Sequence, residues 1–144
     1  MMKNTMKKIL IAHDGSKNST KALKIAVEIA VKFDSILYVL SVVPELHLTE
    51  LTDFDRQRIM EALTEETNKT MEKVRSSLTS HTIEHKTLVR QGDPAEIILD
   101  TAKKMKVNLI VTGSHGRHGA TRFLLGSVSS KVLDHAHCPV LVVK

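Results

Sequence analysis

The chain has 144 residues, enough for one domain with a substantial core. Its hydrophobic share of 42% is ordinary, and no apolar run approaches the ~20 residues that span a bilayer, so neither a disordered nor a membrane-spanning protein is indicated. The formal charge of +5 raises nucleic acid as a partner, but the lysines are scattered, aromatics are scarce and no nucleic-acid module is present. A basic start, Met1 to Lys8, is followed by only four apolar residues, Ile9 to Ala12, which is too short for a secretory signal. A cytoplasmic protein is expected. Cys138 is the only cysteine, so an internal disulfide is impossible.

Apolar runs alternate with helical patterns along the whole chain. Lys8 to Ala12 reads as a buried strand. Ser16 is placed to cap a helix whose buried face carries Ala22, Ile25, Ala26, Ile29, Ala30 and Phe33. Residues 35–43 form a second apolar strand, which Pro44 ends. A loop over 45–52 carries Leu46, Leu48 and Leu51. The spacing then predicts a long helix from about Asp53 to Leu78, with Met60, Leu63, Thr67, Met71, Val74 and Leu78 on one face. Its methionines read as core. His85 to Arg90 is a more polar strand, which suits a sheet edge.

Asp93-Pro94-Ala95-Glu96 predicts a helix start: Asp93 caps, Pro94 takes the first helical position and Glu96 is spaced to reach back. Ile97, Ile98, Ala102 and Met105 supply its buried stripe. A fourth strand is expected over Val107 to Thr112, a fourth helix from about Ser127, and a fifth strand over Pro139 to Val143. The order β-α-β-α-β-α-β-α-β implies an α/β fold: one doubly wound, five-stranded parallel sheet, Rossmann-like, with helices on both faces and strand order 3-2-1-4-5. Ligands of such sheets bind beyond the carboxyl ends of the strands, where the strand order reverses. The fifth strand then lies at an edge, apolar from Val140 to Val143. A second copy pairing there in a two-fold homodimer would cover it.

The pattern that carries chemistry is Gly113-Ser114-His115-Gly116, nine further residues, then Gly126-Ser127. It joins the fourth strand to the fourth helix. Glycines there let main-chain N–H groups approach an anion, and the helix start carries partial positive charge. Arg117, His118 and Arg122 add cations, and Ser127 and Ser129 add hydroxyls in the first turn. Two other phosphate loops are excluded, because the chain has no Gly-Lys pair and no Gly-x-Gly. Phosphate binding and a merely structural loop both remain open on this pattern alone. Asp14-Gly15-Ser16 follows the first strand, so Asp14 is both a turn residue and a candidate for ribose hydroxyls or a metal-bound water. Asp134, His135, His137 and Cys138 do not match a structural zinc spacing, and no metal site is expected. No catalytic residue is assigned, since His115 reads as a loop donor rather than a general base.

With these motifs in view, the sequence resembles the universal stress protein family over essentially its whole length, 1–144, as one domain. The resemblance rests on Ile9 to Ser16, on Gly92 to Ile98, and most specifically on Leu109 to Arg117, Leu124 to Val128 and Cys138 to Val143. It implies the branch of the family that keeps Gly-x2-Gly-x9-Gly-Ser and binds ATP, and a dimer formed through strand 139–143. By that resemblance Ala12 and Asp14 line the adenosine end, and Val42 contacts adenine through its backbone. Gly113, Ser114, Gly116 and Arg117 approach ribose and phosphates, and Gly126, Ser127, Val128 and Ser129 hold the phosphate chain. The implied ligand is ATP, ADP or AMP, with Mg²⁺ or Mn²⁺. The implied function is an ATP-binding sensor or regulator in stress response. A slow ATPase, a self-phosphorylating enzyme and an AMP- or cyclic-nucleotide-binding scaffold for a protein partner are the alternatives. His13 and Ala120 depart from the family pattern, and the His13 ring is expected to narrow or polarise the adenine side. Replacing Gly113 and Gly126 together by valine is expected to abolish binding and spare the fold.

Overall fold

The computed structural model describes residues 5–45, 50–115 and 125–144. Nine elements follow in order: β1 (Lys8–Ala12), α1 (Lys17–Phe33), β2 (Ile36–Val43), α2 (Asp53–Leu78), β3 (His85–Gln91), α3 (Pro94–Met105), β4 (Leu109–Gly113), α4 (Ser127–His135) and β5 (Val140–Val143). The five strands are parallel in the order β3-β2-β1-β4-β5. The expected α/β architecture and strand order are therefore observed.

Strand alternation sorts the side chains into two cores. Ile9, Ile11, Leu37, Val39, Leu109 and Val111 face α1 and α2, where Ala22, Ala26, Ala30, Met71, Val74 and Leu78 meet them. Leu10, Tyr38, Leu40 and Ile110 face α3 and α4, against Ala95, Ile98, Ala102 and Val132. β1 lies at the centre of the sheet, and Ile9, Leu10 and Ile11 are fully buried. That explains an unbroken apolar strand: both faces are covered by helices.

The helix starts follow the sequence closely. Ser16 accepts from the Ser19 N–H, Thr52 from that of Asp55, and Asp93 from that of Glu96. Glu96 itself does not reach back. Its carboxylate lies 3.7 Å from Lys131 Nζ, tying α3 to α4. Two helices end on non-glycine residues in the left-handed region, Asp34 (φ 53°) and Lys106 (φ 55°).

Three expectations shift. Phe33 is half exposed, at 50%, because the face of α1 that meets the sheet runs through Leu23 and Val27 rather than on to Phe33. β4 begins at Leu109, and Val107 is buried just ahead of it. α2 keeps its predicted face, yet only Met71, Val74 and Leu78 are fully covered. Its first half stands off the sheet, with Phe54 67% exposed, and leaves a cleft of about 640 Å³ that reaches Gln91 of β3. β3 is an edge strand, as its polarity implied, and Arg75 of α2 reaches over to donate to the Thr87 hydroxyl at 2.6 Å. β5 is the other edge, and its four residues are half-buried. Leu46 and Leu48 lie outside the described residues.

Candidate functional site

The strand order reverses between β1 and β4. The chain leaves β1 toward β2 on one side and enters β4 and β5 on the other. The residues following these two central strands flank the resulting crevice. On the β1 side stands a tight turn. Asp14 Oδ1 accepts from the Ser16 N–H at 2.9 Å, and Gly15 takes φ 84°, a conformation that favours glycine. Asp14 thus does serve the turn, and it remains exposed at the crevice.

His13 is 5% exposed, and its ring folds back into the same turn, where Nδ1 accepts from the Gly15 N–H at 3.1 Å. That bond to Nδ1 requires an unprotonated nitrogen. Burial lowers the His13 pKa from its ordinary value, and the neighbouring Asp14 charge opposes that shift in part. The departure at His13 is thus accommodated within the fold of the turn.

On the β4 side, the Ser114 N–H donates to the Val143 carbonyl and prolongs the β4–β5 ladder by one bond. The Ser114 carbonyl accepts from the Gly126 N–H at 2.8 Å, so the beginning and end of the glycine motif are held against each other. Ser129 is buried, and its hydroxyl donates to the Gly113 carbonyl at 2.6 Å. This corrects one expectation: the Ser129 hydroxyl is committed to β4 and is not a phosphate donor, which leaves its main-chain N–H for that role.

The two described glycines of the motif do different things. Gly113 packs on α1. A Cβ there would lie 3.0 Å from Asn18 Cβ and 3.1 Å from its carbonyl carbon, tighter than an ordinary contact, so a side chain at 113 needs α1 to give way by a few tenths of an ångström. Replacing Gly113 by valine would therefore disturb the fold, contrary to expectation. Gly126 is the N-cap of α4 at φ −62°, ψ 157°, which any residue can adopt. What glycine changes there is chemistry: α4 has no side-chain cap, whereas α1, α2 and α3 each have one. Among the described residues nothing accepts from the N–H groups of Ser127, Val128 and Ser129, and the first helical bond is Ser130 N–H to the Gly126 carbonyl. Such an end combines free donors with the positive end of the helix dipole.

The other expected site residues sort by sheet face. Ala12, Val42 and Val128 are all half-buried against the core on the α3–α4 side, so they share one face of the sheet. Gly113 opens toward α1, on the other face. Gly116, Arg117, His118, Ala120 and Arg122 lie outside the described residues. Among the described residues, no group of three or more His, Cys, Asp or Glu is placed to hold a metal ion. Cys138 packs half-buried in the second core, and burial raises its thiol pKa against a main-chain hydrogen bond with Ile110 that lowers it. Asn18 is the residue that sequence reasoning missed. Its Nδ2 donates to Ser114 Oγ at 3.0 Å, which links the start of α1 to the motif.

The family model of the universal stress proteins matches residues 5–144. The chain belongs to the universal stress protein family. It is 40% identical over 142 residues to universal stress protein MJ0531 of Methanocaldococcus jannaschii, covering 98% of this chain and 84% of that one. Among solved structures it is similar to universal stress protein UspA of Lactobacillus plantarum, with a TM-score of 0.90, 29% identity and coverage of 96% and 98% of the two chains. A family protein of Arabidopsis thaliana, solved with AMP bound, shares the fold at a TM-score of 0.67 and 20% identity, with 96% of this chain and 91% of that one covered. As in other universal stress proteins, the fold here is a parallel α/β sheet. Among the described residues, no helix is long and apolar enough to cross a membrane.

Proposed function

We propose that this universal stress protein binds an adenine nucleotide, ATP above all, at the crevice between β1 and β4, as a sensor or regulator in stress response. The phosphates rest on the main-chain N–H groups of Ser127, Val128 and Ser129, with Gly113, Gly116 and Arg117 along the same chain of phosphates and the ribose. The adenosine end lies against Ala12, Asp14 and Val42. The observation that carries this reading is the start of α4, which among the described residues has no side-chain cap, where α1, α2 and α3 each have one. The family match and a fold relative solved with AMP support the choice of nucleotide. Mg²⁺ or Mn²⁺ would arrive with the phosphates and be held chiefly by them and by water, with Asp14 as the nearest described carboxylate in sequence to the crevice. The protein works as one domain in the cytoplasm and pairs through strand 139–143 in a homodimer. No residue is assigned to activate water, so hydrolysis is at most slow.

Isothermal titration with Mg-ATP tests the reading. A saturable heat with a stoichiometry of one nucleotide per chain is expected, and no heat at any protein concentration would refute it.

A further inference from the structure

α3 and α4 both stop where β4 and β5 begin, at the end of the sheet opposite the crevice. Short side chains stand at both helix ends there, Ala102 in the last turn of α3 and Ala136 just after α4. Between them lies a cavity of about 200 Å³. Its floor is apolar, with Ala102, Val107 and Ile110 buried and the half-buried Cys138 thiol beside them. Its mouth is basic. Lys103, Lys106 and His137 line it and are exposed, and among the described residues no Asp or Glu does so.

Two further observations leave that charge available. Lys104 is paired with Asp100 at 3.0 Å, whereas among the described residues Lys103, Lys106 and His137 have no ion pair. The negative end of the α3 dipole would oppose an anion, but its carbonyls already have donors. The Ala102 carbonyl accepts from the N–H groups of Lys106 and Val107, that of Lys103 from Lys106, and that of Met105 from Lys8 Nζ at 3.1 Å.

We propose that this cavity is a second binding site, for a small carboxylate with an apolar body. The body lies against Ala102, Val107 and Ile110, where burial of its surface drives binding. The carboxylate stays at the mouth, on the ammonium groups of Lys103 and Lys106. An apolar cavity of ~150 Å³ takes a benzene ring, so this one takes a ring or short chain with its acid arm reaching outward. The site stands apart from the nucleotide, since the crevice lies beyond the other ends of the same strands.

The test titrates the full-length, nitrogen-15-labelled protein with 3-phenylpropionate and with its uncharged counterpart, 3-phenylpropanamide. The acid is expected to shift the Lys103, Lys106, Val107 and Cys138 amides saturably and to bind about three- to tenfold more tightly than the amide at low salt. That preference should largely vanish at ~1 M salt, which screens exposed charge. Lys103→Gln combined with Lys106→Gln changes only exposed side chains, and should lower the acid's affinity to that of the amide while leaving the amide's unchanged. Cys138 is the only thiol, so it also reports occupancy. Saturating phenylpropionate should slow its exchange with the neutral disulfide 4,4′-dithiodipyridine severalfold. No shift of these amides at high millimolar acid would overturn the site, as would a thiol left unprotected at saturation. Equal binding of acid and amide to the wild type would overturn the choice of a carboxylate, whether or not the double variant folds.

Discussion

Gly126→Asp separates the two things a helix start can do. The backbone at Gly126 (φ −62°, ψ 157°) matches the caps at Ser16 (φ −77°, ψ 164°) and Thr52 (φ −67°, ψ 158°). In each capped helix the cap oxygen accepts from the N–H three residues on, so an aspartate at 126 would accept from the Ser129 N–H. Exchanging a glycine cap for aspartate adds a few tenths of a kcal/mol, and a negative charge at the helix start adds about 0.3–1 kcal/mol. Together they raise stability by about 0.5–1.5 kcal/mol, which for this size lifts Tm by roughly 2–5 °C. Binding should move the other way. The variant removes one charge-assisted amide bond to phosphate and brings a carboxylate beside it, costing at least about 1.5–3 kcal/mol, or roughly 10- to 150-fold in affinity. Thermal melts without nucleotide and calorimetry with Mg-ATP read the two halves. Gly126→Ser, which caps without charge, should gain stability and lose less affinity. A Gly126→Asp protein that melts higher and binds Mg-ATP like the wild type would refute the assignment of phosphate to these amides.

Other outcomes follow from single contacts. Gly113→Ala drives a methyl group into the backbone of Asn18, so Tm should fall by roughly 3–10 °C, in line with about 1–3 kcal/mol for overpacking, as read by circular dichroism. His13 has a folded pKa below its unfolded one, so the unfolded chain binds the proton more readily. Its contribution is therefore complete above the unfolded pKa of about 6.5 and is lost as pH falls through the lowered folded value. Urea melts between about pH 7.5 and 5 should show that loss, and His13→Gln should flatten it. Light scattering of the wild type at micromolar concentration should give a dimer mass. A clean monomer would remove the pairing proposed for β5.

The fold was legible because each local signal agreed with the global one. Asp93-Pro94 marked the start of α3, the polar β3 marked an edge, and the unbroken apolar β1 marked a buried strand. The ends of α1 and α3 were less legible, since Asp34 and Lys106 adopt the left-handed turn that glycine usually announces. The glycine motif was legible as a place but not as a division of labour. That Gly113 answers to α1 depends on how closely the Ala22, Ala26 and Ala30 stripe lets that helix approach the sheet. Asn18 sits four residues before Ala22 and prolongs that stripe, a polar residue heading a row of small apolar ones. That was the available signal, and its meaning depended on Ser114 standing opposite, 96 residues later. The Ser129 hydroxyl looked like a ligand donor from its place in the first turn, and only packing against β4 shows that its proton is spent on Gly113.

The central claim is that the uncapped start of α4 holds the nucleotide phosphates. Amide hydrogen exchange at Ser127, Val128 and Ser129, followed residue by residue with and without Mg-ATP, tests it most directly. Strong slowing at these three amides on saturation is the predicted result. Binding of Mg-ATP that leaves their exchange unchanged would contradict the account.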